Sequence, residues 1–128
     1  MKAIIDRRLL SRAILVGVVF EVGLVAAGHY KPWIMAHFLL FCAMMIAGTA
    51  GLLYARELAG GFAKGALGGL VCGAACGLTA VGLSNLLGDR PDIFLPYGVM
   101  VMTFTGAIGG VFGQMGAIMR AFLRTLGR

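Results

Sequence analysis

Charged residues are scarce in this chain: five Asp or Glu stand among 128 residues, and charge of either sign makes up 12%, against a globular norm of roughly 25%. So little charge, beside 60% hydrophobic residues, points to lipid as the solvent. Absent too are paired carboxylates at catalytic spacing, a nucleophile with a nearby base, and a phosphate-cradling loop, since Gly60 and Gly61 open no Walker pattern. Enzymatic activity is therefore not expected, and no cofactor is implied. Cysteine is limited to Cys42, Cys72 and Cys76, an odd count. Cys72 and Cys76 are one helical turn apart, an awkward geometry for a disulfide. CxxxC is a far weaker metal signal than CxxC, so these residues read as small packing groups and no metal site is expected. Aromatic and basic residues do not interleave, so the net charge of +6 does not describe a nucleic-acid surface.

What the chain does have is length without polarity. Four apolar stretches, 9–28, 33–55, 65–87 and 93–119, each reach the roughly 20 residues that a helix needs to cross about 30 Å of hydrocarbon. The polar breaks between them are short, leaving no room for a soluble domain. The expected fold is an all-α membrane protein, with residues 1–128 forming one compact bundle of four transmembrane helices. Nine basic residues fall on one side of such a bundle (Lys2, Arg7, Arg8, Arg12, Arg56, Lys64, Arg120, Arg124 and Arg128) against Lys31 and Arg90 on the other. Lys and Arg collect on the cytoplasmic side, which puts both termini there and, with the small size, suggests a bacterial inner membrane. The same charge would attract anionic head groups. A cleaved signal peptide is the competing reading of the start, but Glu21 interrupts its apolar run.

Turn chemistry agrees with this division. Pro32 suits the first position of a helix, and Tyr30 and Trp33 suit the interfacial belt. Gly60 and Gly61 let the chain reverse, Gly88 is a C-terminal cap, and Asp89, Arg90, Pro91 and Asp92 make a polar turn. Pro96 and Tyr97 open the last span much as Pro32 and Trp33 open the second.

Glycine is the most patterned residue. GFAKGALGGLVCGAACG places Gly61, Gly65, Gly69, Gly73 and Gly77 at every fourth position, a glycine-zipper or GxxxG pattern. Membrane helices associate through close backbone contact, so such a row is an interface. Span four carries Gly106, Gly109, Gly110, Gly113 and Gly116 at spacings of three and four, and span two carries Ala43, Ala47, Gly51 and Ala55. The first reading is an internal contact between spans three and four; a contact with another chain is the second.

Glu21, in VVFEVGLV, is the most informative single residue. A carboxylate in hydrocarbon costs a few kcal/mol or more, so it is by default paired, protonated or functional. At about 1.5 Å per residue it lies roughly 10 to 12 Å below the outer surface. His37, Thr79, Thr103 and Thr105 map to comparable depth and suggest one polar layer. That layer is either a proton or cation relay with His37 as partner, or a hydrogen-bonded pair that fixes register. Methionines in spans two and four raise Cu(I) as a further possibility, but their depths scatter and methionine is a common gap-filler.

Length, four spans and the glutamate in AILVGVVFEVG invite comparison with small multidrug resistance transporters, whose antiparallel pairs carry little Lys/Arg bias. The nine-to-two bias departs from that pattern. The leading expectation is a non-catalytic accessory or assembly subunit, packing through glycine-rich faces against itself or other membrane subunits. The alternative is a small proton- or cation-coupled transporter or channel using Glu21 and His37.

Overall fold

The computed structural model describes residues 6–88 and 95–127, and among these every regular element is helical. The anticipated turn at residues 89–92, and the basic residues Lys2 and Arg128, lie outside the described residues. Helix α1 spans Arg7–Tyr30, α2 Pro32–His37, α3 Leu39–Leu58, α4 Phe62–Leu86 and α5 Leu95–Leu126. Helices α1, α3, α4 and α5 are long and apolar enough to cross a membrane, which makes this an integral membrane protein by length and composition.

Local sequence accounts for the helix ends. The Asp6 carboxylate caps α1 by accepting from the Arg8 and Leu9 backbone N–H groups at 3.0 and 3.3 Å. Lys31 is extended (φ −125°), and Pro32 then occupies the start of α2, where its missing N–H costs nothing. The second span, expected as one run over 33–55, arrives in two pieces divided at Phe38. Hydrogen bonding carries through the division: Phe38 N–H donates to Ile34 O and Cys42 N–H to Phe38 O, both at 2.9 Å. The reversal into α4 uses Ala59 at φ 47° and Gly61 at φ 108°, and Gly88 at φ 73° follows α4. Those glycines stand where side chains are disfavoured. The last helix outruns the expected 93–119, because Arg120 and Arg124 continue it.

Packing centres on glycine. Helices α4 and α5 run antiparallel, with Gly65 on Gly110, Gly69 on Gly106, Gly73 on Met102 and Gly77 on Val99. A methyl group at Gly77 would stand 3.1 Å from Val99 Cα, and one at Gly69 would strike the Gly106 carbonyl. Gly51 of α3 meets the same place: its added Cβ would strike the Gly106 carbonyl and lie 3.1 Å from Gly69 Cα. Three backbones therefore converge at Gly51, Gly69 and Gly106, which only residues without side chains permit.

Two glycines assigned to helix packing touch no other helix of this chain among the described residues. Gly61 precedes α4 in a left-handed conformation, with nothing within 4 Å of an added Cβ; it is a turn residue. Gly116 is exposed, also with nothing within 4 Å. Gly109 and Gly113 face the Gly48 and Leu52 carbonyls of α3, while Gly106 and Gly110 face α4. Successive residues turn by about 100°, so spacings of three and four send span-four glycines to two different neighbours. Gly68 has another use: its missing side chain leaves room for the Tyr54 ring of α3.

Helix α1 lies against α3 and α4 along a stripe of Ala13, Gly17, Glu21, Val25 and Gly28. Its start is tied down where the Asp6 N–H donates to the Tyr54 hydroxyl at 3.3 Å. With α1 parallel to α4 and α3 parallel to α5, the start of α1 and the end of α5 lie at the same end of the bundle.

Candidate functional site

Glu21 is 0% exposed, on the face of α1 that α3 and α4 cover. One turn earlier, a Cβ at Gly17 would stand 2.5 Å from Cys76 Sγ and 3.2 Å from Ala50 Cβ, which shows how closely the three helices meet below the carboxyl group. Neither Glu21 oxygen has a hydrogen-bond partner among the described residues. An unpartnered polar group in an apolar interior costs roughly 1 to 3 kcal/mol, and an ionised one far more. The bundle holds Glu21 by packing around it.

The other members of the expected polar layer do not converge on it. His37 is exposed at the end of α2, with Nδ1 3.1 Å from the Trp33 carbonyl and its ring 5.8 Å from the indole. A Glu21–His37 hydrogen bond is therefore not formed. His37 closes the short helix α2, just before the division at Phe38. Each threonine donates within its own helix: Thr79 to Ala75 O at 2.8 Å, Thr103 to Val99 O at 2.7 Å and Thr105 to Val101 O at 2.8 Å. In lipid the carbonyl one turn back is always within reach, so a lone threonine needs no partner on another helix.

Three polar side chains with a buried oxygen escaped the sequence reading. Ser84 Oγ, Asn85 Oδ1 and Gln114 Oε1 are buried and unpartnered among the described residues. A signal existed for Gln114, a lone amide in the apolar run VFGQMGA, and its Cβ lies 3.6 Å from where Gly65 would carry one. Ser84 lines an apolar cleft with Leu39, Ala43, Ala80, Tyr97 and Met102.

Chemically, these groups are separate. Among the described residues no three of His, Cys, Asp or Glu are placed to hold a metal ion. The buried thiols of Cys72 and Cys76 pack in the core beside Ala43, Ala47 and Ala50. Comparison with protein-family models, curated proteins and solved structures found no match.

Proposed function

We propose that this chain is a non-catalytic accessory or assembly subunit of a bacterial plasma membrane, with both termini cytoplasmic, that associates with other membrane subunits or with itself. The observation that carries this reading is the sealed interior: Glu21 is 0% exposed, and Thr79, Thr103 and Thr105 are satisfied within their own helices. A transport protein needs a water-accessible route to its exchanging group, whereas a packing subunit can leave that group enclosed. The outer face of α5 supports the same reading, with Phe104 and Phe112 turned outward beside the open Gly116. The charge bias supports the orientation.

Mild-detergent extraction from native membranes, combined with cysteine crosslinking from Gly116→Cys and Gly23→Cys, tests this. Both positions have open space around them, so the substitutions leave the fold intact. A co-purifying membrane protein or a covalent intermolecular product is expected. If neither is found, the subunit reading fails.

A second reading, a small proton- or cation-coupled transporter, is favoured by one observation, the unpartnered carboxyl of Glu21. It predicts ion flux in proteoliposomes that Glu21→Gln removes. Flux that is absent, or unchanged by the substitution, sinks it.

A further inference from the structure

Two clefts on the outer surface share Val16 and Leu53 and follow one another as a groove along the seam between α1 and α3. At one end the groove is bounded by Arg12 and Glu57, the only charged residues lining it; at the other it closes against Phe20 and Met45. Arg12 and Glu57 are both exposed, and neither has an ion-pair partner among the described residues.

The dimensions match one class of molecule. From Arg12 to Phe20 the helix rises about 12 Å at 1.5 Å per residue. One leaflet of a hydrocarbon core about 30 Å thick is about 15 Å deep. The groove thus begins among charges at the membrane surface and ends near the bilayer midplane, the path of a single acyl chain. Its mouth is lined by one cation and one anion. Arg12 suits a phosphate, and Glu57 suits an ammonium that can donate hydrogen bonds. Glu57 disfavours a purely anionic head group, although Arg7, Arg8 and Arg56 nearby would attract one. A quaternary ammonium has no N–H to donate, so the pair selects a primary amine.

We propose that the α1–α3 groove binds one phosphatidylethanolamine, its acyl chain along Val16 and Leu53 and its phosphate and ammonium on Arg12 and Glu57. This depends on the helices spanning a membrane and not on the identity of any protein partner. The full chain is reconstituted into vesicles of equal parts phosphatidylethanolamine, phosphatidylglycerol and phosphatidylcholine with identical acyl chains. After brief detergent extraction, native mass spectrometry reads the retained lipid. One phosphatidylethanolamine per chain is expected, favoured about fivefold over each competitor, the scale of one partly screened charge contact. Glu57→Gln removes the preference over phosphatidylcholine, Arg12→Gln lowers retention of all three lipids, and Val16→Trp, which fills the groove, abolishes retention. Equal retention of the three lipids by the wild type overturns the proposal, as does a preference that survives Glu57→Gln. So does disulfide crosslinking of Val16→Cys to a second copy in native membranes, because a helix would then occupy the groove. The two charge variants alter only exposed side chains, so they decide the matter even where Val16→Trp does not fold.

Discussion

The contact between α4 and α5 and the contact of α1 with α3 and α4 solve the same problem by different means. In the first, Gly65, Gly69, Gly73 and Gly77 bring one backbone onto another, and most of the atoms that an added methyl would meet are carbonyl or Cα atoms. In the second, Gly17 meets the end of a cysteine side chain and the Ala50 methyl, and the next turn brings an unpartnered carboxyl group. Backbone atoms cannot retreat, whereas a thiol can rotate away. The α4–α5 contact should thus be intolerant of any added atom, and the α1 contact adaptable.

The largest effect expected on this view comes from Gly106, where an added Cβ would lie 2.7 Å from Gly73 Cα and 2.8 Å from Gly73 N. Gly106→Leu should abolish the monodisperse species seen by size-exclusion chromatography in detergent. A variant that elutes and melts like the wild type would show that the three-backbone junction is not close-packed.

Glu21→Met comes next and acts in the opposite direction. Removing a buried, unpartnered polar group for an apolar one of similar length should stabilise the bundle by about 1 to 3 kcal/mol in a denaturant titration. Destabilisation by that amount would mean that the carboxyl group has a partner.

Gly17→Ala tests adaptability. It should cost about 1 kcal/mol, and most of that should return in the double variant with Cys76→Ala, since the shortest contact of the new methyl is with Sγ. Additive losses would place the constraint in the backbone and erase the contrast with α4–α5.

Gly116→Ala should be the smallest, within about 0.5 kcal/mol, because nothing lies within 4 Å of the new methyl. A loss well beyond that, measured in native membranes and absent in detergent, would point to a protein neighbour on this face.

Much of this arrangement was legible in the residues, for identifiable reasons. The long apolar helices follow from hydropathy, which depends on composition within each segment. Pro32 and Gly88 mark helix ends because their constraints are local to the backbone. The row Gly65 to Gly77 pointed to a close contact, and that contact lies on α5. The polar layer was not legible. Equal depth along four helices says nothing of rotation about each axis, and the carbonyl one turn back satisfies Thr79, Thr103 and Thr105 wherever they point. The division at Phe38 was not legible either, since no proline or glycine announces it. Gly61 looked like a member of the row because period alone cannot separate the last turn residue from the first helical one.

By itself the sequence determined the solvent, the number of crossings and the need for close helix approach, because each follows from residues near one another in the chain. Only the tertiary structure decided which glycine meets which backbone, that Gly116 stays open, and that Glu21 is enclosed without a partner. Those outcomes depend on the rotation and register of each helix against two others. That geometry is set by steric fit at Gly51, Gly69 and Gly106 together, and no single segment carries it.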